Sequence, residues 1–282
     1  MSKVREKTLC LQSYPIDKAH CKALADACRV LNDSINRVLI ESCGLDDDSF
    51  AQIVESLDEV EDLKCITYVQ NTIGEKSVTQ LAKLFTRKIP FNFSEFCLND
   101  VKMTVNASRM LVESLIRAEG QKPVTVQYLQ LANCNLQGGQ IEGLARSLLE
   151  DHSYIEKLDL SLAKAQRSAW SAFFDIIKDT TRLRTLRVSG NLLLEEGKET
   201  ETLGNIKHFI KYNSSLQHLD FSYCGLTNPQ LKFICKQLKK SGCLQGVHLC
   251  LNPGLDSDFV EWCCDKFKSQ PVQATRHKLA PY

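Results

Sequence analysis

Residues 216–226, LQHLDFSYCGL, form the stretch that decides the fold. The alternation of apolar and polar residues at 219–221 predicts a short strand with one buried side-chain row and one outward row. Cys224 follows at a turn, and the apolar residues of 229–238 recur at the spacing of one helix face. A strand, turn and helix of this size cannot bury their own apolar faces, so the stretch predicts neighbouring units of the same kind.

The same apolar spacing occurs nine times along the chain, and successive matches begin 28 to 33 residues apart. A period held over nearly the whole chain predicts stacked units that share one core. The residue at the turn of each successive unit is Tyr14, Cys43, Asn71, Val101, Cys134, Ala163, Asn191, Cys224 and Asn252.

The recurring pattern resembles leucine-rich repeats, and its strand, turn and full helix are similar to the ribonuclease-inhibitor-like class of such repeats. The resemblance covers roughly residues 7–267. It implies an α/β fold: a curved solenoid of about nine repeats, with a parallel sheet on the concave face and helices on the convex face. We expect one leucine-rich-repeat domain over 1–270 and a C-terminal tail over 271–282.

The turn position favours Asn or Cys for a physical reason. The chain leaves the strand there, and an Asn amide or a small Cys can fill the turn and bond the freed backbone groups. Val101 and Ala163 cannot donate in this way. We therefore expect local irregularity, or a bound water, in the fourth and sixth repeats.

Composition narrows the function. The net charge is +1, which gives no reason to expect nucleic acid or an anionic membrane as partner. The first residues have no apolar signal region, and no run of about 18 apolar residues predicts a membrane span. Thirteen cysteines without a secretory signal indicate reduced thiols in the cytoplasm. The ends carry no polar capping repeat, which suggests a part of a larger complex.

Neither catalysis nor a cofactor is expected. Asp220, Ser222 and His248 offer the residue types of a catalytic triad, but no G-x-S-x-G turn accompanies them. The cysteines near the C-terminus include no C-x-x-C pair, so buried thiols are favoured over a metal site. No glycine-rich phosphate loop is present. We predict a non-enzyme without cofactor or metal.

The residues between the pattern leucines should point outward from the sheet and form its accessible face. The C-terminal half of that face is polar and the N-terminal half, with Leu39, Cys65, Val69 and Cys97, is less so. A self-neutralising surface and a recognition surface both fit the polar half. As the partner-binding residues we predict Tyr128, Lys157, Asp159, Arg187, His218, Asp220, Tyr223 and His248.

Two longer spacers, 117–123 and 194–204, are expected as loops. The second is polar and acidic, and it should project from the rim of the solenoid. A solvated loop and a partner-contacting loop are both compatible with that composition.

Three functions remain open. The first is a protein-protein interaction scaffold, a subunit of a cytoskeletal or ciliary assembly. The second follows from 194–226, which resembles repeats of CARMIL-type actin regulators; the flanking regions of that family are not visible here. The third is a GTPase-activating protein that resembles RanGAP, whose usual acidic tail contrasts with the basic residues near the end of this chain.

Overall fold

The computed structural model of the chain describes residues 7–86, 93–115, 126–150 and 153–267. Strands and helices alternate along these ranges. The strands are β1 Thr8–Gln12, β2 Arg37–Glu41, β3 Cys65–Val69, β4 Thr72–Ile73, β5 Glu95–Asn99, β6 Lys102–Met103, β7 Tyr128–Ala132, β8 Lys157–Asp159, β9 Thr185–Arg187, β10 His218–Asp220 and β11 Gly246–His248. The helices are α1 Lys18–Val30, α2 Asp47–Leu57, α3 Glu75–Phe85, α4 Val105–Leu115, α5 Gly138–Ser147, α6 Arg167–Ile177, α7 Glu199–Tyr212, α8 Asn228–Leu238 and α9 Ser257–Phe267.

One parallel sheet runs through the described residues in the order β1-β2-β3-β5-β7-β8-β9-β10-β11. Each strand follows its neighbour by one repeat, so the sheet grows in chain order, and consecutive helices pack side by side. The short strands β4 and β6 pair separately where the third and fourth repeats leave the main sheet. The predicted fold, a leucine-rich-repeat solenoid with a parallel sheet and a helix layer, is confirmed.

The core lies between the sheet and the helices. The inward strand residues are buried from β2 to β10 and partly buried in the first and last strands, and the helices pack their apolar faces against them. Three of its largest side chains belong to α6, where Trp170, Phe173 and Phe174 are completely enclosed. Since each repeat contributes strand and helix residues to this layer, neighbouring repeats stabilise one another by shared burial.

The turn residues behave as the sequence predicts. The Cys43 thiol lies 3.5 Å from the Leu11 carbonyl and 3.3 Å from the Glu41 carbonyl, and so bridges two repeats. Asn191 does the same with its amide, which donates to the carbonyls of Leu160 and Val188 at 2.9 Å. Cys43 and Asn191 therefore each satisfy backbone groups of their own repeat and of the preceding one.

One loop prediction is wrong in part. Residues 194–204 were expected as a projecting loop, but α7 begins at Glu199 and includes the second half of that segment. Glu199 and Glu201 lie in the first turn of α7, where carboxylates favourably oppose the positive end of the helix dipole. The acidic character that suggests a solvated loop is thus a helix-start signal. The other predicted loop, 117–123, and the predicted tail lie outside the described residues.

Candidate interaction face

Seven of the eight predicted binding residues lie together on the concave face, which is the sheet face turned away from the helices. Strand pairing aligns Asp159, Arg187, Asp220 and His248 in one row across β8 to β11. These strands enclose a hollow of about 310 Å³, here called the concave hollow. The residues that line it are Tyr128, Lys157, Leu158, Asp159, Thr185, Leu186, Arg187, His218, Leu219, Asp220 and His248.

The sequence predicts that Asp159 is exposed, but in the structure this side chain is buried. Only 4% of its surface is accessible. One carboxylate oxygen accepts the backbone N–H of Ser161 at 2.9 Å, and the other lies 3.8 Å from a guanidinium nitrogen of Arg187. The strand ends at Asp159, and its side chain folds back over the turn, which removes it from solvent.

A self-neutralising surface would need ion pairs between neighbouring strands of this row, and one such pair forms. Among the described residues, the ion pair within this row joins Asp159 and Arg187. Asp220 instead accepts the backbone N–H of Ser222 at 2.9 Å, the same local contact that Asp159 makes with Ser161 two strands earlier. Because the carboxylates turn to the backbone, the row does not neutralise itself pair by pair.

Tyr128 forms one wall of the concave hollow. Its hydroxyl bonds the side-chain oxygen of Gln130 at 3.2 Å. Burial raises the pKa of Tyr128 to about 12, and the neighbouring Cys97 and Asp159 act in the same direction. The phenol therefore stays neutral near pH 7 and offers a ring face and a hydrogen-bonding hydroxyl.

The exposed side chain of His218 lies beside Gly246 of the next strand. A Cβ atom at Gly246, its partner in β11, would fall 2.9 Å from the Nδ1 atom of His218. The missing side chain at Gly246 therefore leaves the space that the imidazole occupies. This glycine keeps His218 close to the sheet, at the floor of the concave hollow.

Tyr223 lies outside the concave hollow, on the rim where the strands end. It is 63% exposed and has a left-handed backbone, with φ of 54°. Leu162 and Leu251 hold the corresponding position in their repeats, also with positive φ, and Leu192 lies close by in the seventh repeat. We call these four exposed residues the apolar rim: Leu162, Leu192, Tyr223 and Leu251.

Sequence reasoning missed the three leucines of the apolar rim. Backbone hydrogen bonds carry the strand alignment into the turn: the N–H of Leu162 donates to the Ser189 carbonyl, and that of Tyr223 to the Cys250 carbonyl, both at 2.8 Å. A signal was present, since the residue before the Asn or Cys position is polar in the first three repeats and apolar in the sixth, eighth and ninth.

Two of the four less polar residues in the N-terminal half, Cys65 and Cys97, are not available as a surface. Arg37 reaches across β3 and pairs with Glu95 at 2.7 Å, above the strand that carries Cys65. Cys65 and Cys97 are both buried. Burial raises the pKa of the Cys65 thiol and raises that of Cys97 to about 12, so both stay protonated near neutral pH.

The described part of the chain contains no group of three His, Cys, Asp or Glu residues arranged to hold a metal ion. Over the same ranges, no helix is both long and apolar enough to cross a bilayer.

Comparison with known proteins agrees with the repeat architecture. A family model described as Leucine Rich Repeat matches residues 215–237, which contain the stretch 216–226. A Bacteroides fragilis protein of known crystal structure superposes with a TM-score of 0.55 at 13% identity, over 94% of this chain and 72% of that protein, and this likeness concerns the fold alone. The chain is a leucine-rich-repeat protein.

Curated relatives are much longer proteins. NACHT, LRR and PYD domains-containing protein 5 of Mus musculus is 22% identical over 263 residues, which are 93% of this chain and 22% of the relative. NACHT, LRR and PYD domains-containing protein 7 of Homo sapiens is 34% identical over 123 residues, 42% of this chain and 12% of the relative. The chain thus spans about a fifth or less of the relatives it matches.

Proposed function

We propose that the chain is a non-enzymatic protein-interaction module that binds a partner protein through the concave hollow and the rim beside it. Leucine-rich-repeat proteins generally mediate protein-protein interaction, because a stacked array offers a long continuous face. The observation that carries the proposal is the concave hollow, where seven residues of the predicted recognition surface share one concavity.

The lining of the concave hollow supports a protein partner over a small apolar ligand. Small-molecule pockets are lined mostly by hydrophobic and aromatic side chains. Here charged and polar side chains predominate, and Arg187 remains 55% exposed while Asp159 lies buried below it. An exposed guanidinium with a buried, charged neighbour is typical of an interface position that exchanges water for a partner's polar groups.

Charge reversal at Arg187 tests the proposal. We expect proteins captured from cell extract by the native chain to be lost with Arg187→Glu and retained with Arg109→Glu. The two arginines are matched, because each side chain is 55% exposed, but Arg109 lies on helix α4. Circular dichroism of both variants establishes that they are folded. Equal recovery of every protein by both variants would contradict the proposal.

Finer assignments rest on sequence resemblance and stay hypotheses. These are a cytoplasmic location, a cytoskeletal or ciliary assembly, the ribonuclease-inhibitor-like subtype, a CARMIL-like actin regulator and a RanGAP-like GTPase-activating protein. Turnover assays with Ran-type and Arf-type GTPases separate the enzyme from the scaffold. Faster hydrolysis in the presence of the chain would favour the GTPase-activating protein, and unchanged hydrolysis would favour the scaffold.

A further inference from the structure

The two carboxylates of the concave hollow are engaged by the protein itself. Asp159 accepts the N–H of Ser161 and lies beside Arg187, and Asp220 accepts the N–H of Ser222. Each carboxylate thereby gives one oxygen to its own turn, and the burial of Asp159 leaves it little surface for a basic partner group. The negative charges of the concave hollow are therefore directed at its own turns.

The basic and donor side chains remain turned outward. Lys157 and His218 occupy one outward row of the sheet, and Arg187 and His248 occupy the other. These four residues alternate between the two rows on four successive strands. The two histidines count as donors because an imidazole carries at least one N–H in either protonation state. All four are exposed. The result is a diagonal of donors across β8, β9, β10 and β11.

The length of this diagonal suits an extended chain. Neighbouring strands lie about 4.8 Å apart, so three strand steps span roughly 14 Å. An extended peptide advances about 3.3 Å per residue, so about four residues cross the diagonal. Successive side chains of such a peptide point to opposite sides, which places alternate residues toward the sheet.

The apolar rim supplies a second, independent observation. Leu251 is 77% exposed and Tyr223 is 63% exposed, although both occupy a backbone region that bulky residues seldom adopt. At the same position of the seventh repeat, Gly190 leaves space for the side chain of Leu162, which lies directly over it. A row of apolar side chains held at positive φ beside a polar concavity favours a partner that covers it.

We propose that the concave hollow and the apolar rim together bind an extended segment of a partner protein. Carboxylate side chains alternate with apolar side chains, such as leucine, along this segment. Its carboxylates meet Lys157, Arg187, His218 and His248, and its apolar side chains cover the apolar rim. This inference rests on the proposed function and adds the chemical class of the partner. Charge complementarity selects the occupant, because the cations Lys157 and Arg187 are exposed beside the two imidazole donors, whereas Asp159 is buried.

Synthetic peptides test the class of partner directly. We expect a fluorescein-labelled peptide of alternating Glu and Leu to bind the full chain in an anisotropy titration, more weakly as salt is raised. A Lys and Leu peptide should not bind, and a Glu and Ser peptide should bind about tenfold more weakly, since it lacks groups for the apolar rim. Arg187→Glu should weaken binding of the Glu and Leu peptide about tenfold or more, and Arg109→Glu should leave that binding unchanged.

Asparagine substitutions test the apolar rim without damage to the fold. Asn tolerates the left-handed backbone better than Leu or Tyr, so Leu251→Asn and Tyr223→Asn should keep or raise the melting temperature. Each substitution should weaken binding of the Glu and Leu peptide about tenfold. Val105→Asn is the matched control, because Val105 is 58% exposed and lies at the start of α4.

The outcomes separate this inference from the proposed function. If captured partners depend on Arg187 but the Glu and Leu peptide does not bind, the partner class is wrong and the interaction face stands. If neither depends on Arg187, both fail. Arg187-dependent binding of single-stranded oligothymidylate, without binding of the Glu and Leu peptide, would also overturn the acidic segment.

Discussion

Asn252 and Asn191 hold the same position in two repeats but differ in their hydrogen bonds. The amide of Asn252 donates to the carbonyls of Phe221 and Leu249, and its oxygen accepts the N–H groups of Cys224 at 2.9 Å and Leu226 at 3.0 Å. The side chain thus closes two successive turns at once.

Asn191 makes only half of this set. Its amide donates to two carbonyls, but its buried oxygen has no hydrogen-bond partner within the described residues. The preceding repeat turns at Ala163, between Leu162 and Lys164, which both have positive φ. The same pair of positive φ values flanks Cys43, Cys134 and Cys224, so the expected local irregularity of the sixth repeat does not appear in these backbone angles.

We predict that Asn252→Ala lowers the free energy of unfolding more than Asn191→Ala does. The first substitution leaves buried donors and acceptors of two repeats unpaired, which costs about 3 kcal/mol. Asn191→Ala also removes an oxygen that is unpaired in the native chain, so its loss of unfolding free energy should be smaller by about 1 kcal/mol or more. Urea unfolding of both variants measures the difference. Equal losses would show that the unpartnered oxygen of Asn191 has no energetic consequence.

Helices α2 and α3 are joined by a cap that passes from one repeat to the next. Asp46 caps its own helix by accepting the N–H of Ser49 at 2.8 Å. The adjacent Asp47 reaches instead to α3, where its carboxylate accepts the N–H groups of Gly74 at 2.8 Å and Ser77 at 2.9 Å. Two neighbouring aspartates therefore satisfy the first turns of two different helices.

The pKa of Asp47 follows from this contact. Burial, the largest influence, acts to raise it, but hydrogen bonds from Ser77, Gly74 and Lys76 outweigh burial and lower the pKa below its ordinary value. A carboxyl group with a lowered pKa in the folded state contributes stability above its unfolded pKa, near 4. That contribution is lost as the pH falls through the lower, folded value.

Substitution of Asp47 should accordingly have a pH-dependent effect. We expect Asp47→Ala to lower the free energy of unfolding by about 1–2 kcal/mol at pH 7, and by less as the pH is lowered toward 3. Denaturant unfolding at a series of pH values provides the measurement. Asp48→Ala is the control, because Asp48 makes an exposed ion pair with Lys76 that contributes under about 1 kcal/mol. A pH-independent loss at Asp47 would argue against the cap.

Across the whole molecule, one aromatic cluster joins three repeats. Phe174 of α6 lies 5.9 Å from Phe209 of α7 and 5.8 Å from Phe221, which follows β10, between ring centroids. In a repeat protein, stability is a sum of units and nearest-neighbour interfaces. A cluster that spans three repeats therefore couples the repeats before it to those after it.

We predict that Phe174→Ala separates the unfolding of the two ends. The cavity should cost about 3–5 kcal/mol, concentrated at interfaces in the middle of the solenoid. Hydrogen exchange of the variant should then show lower protection after α6 than before it. In the native chain we expect similar protection on both sides of α6, because the repeats unfold together. Phe50→Ala is the control, since Phe50 stacks on Tyr68 in the second and third repeats. One cooperative loss across all repeats would contradict this coupling.

Much of this arrangement was predictable because it follows from the repeat. The period of the leucines predicted the strand order and the two outward rows, and strand pairing confirms both rows. The burial of Asp159 and the place of Tyr223 on the rim were not predicted. Both depend on how a side chain folds at the end of a strand, which the spacing of leucines does not specify.

The sequence by itself determined that this is a leucine-rich-repeat solenoid, which residues face the core, and which turn residues bond the backbone. These properties are local and periodic, so the sequence of each repeat specifies them anew. Only the tertiary structure decided which outward residues share the concave hollow, that Arg37 and Glu95 close over Cys65, and that Asp47 caps the next helix. Those contacts join residues 27 or more positions apart, and they depend on the distance and angle between stacked repeats.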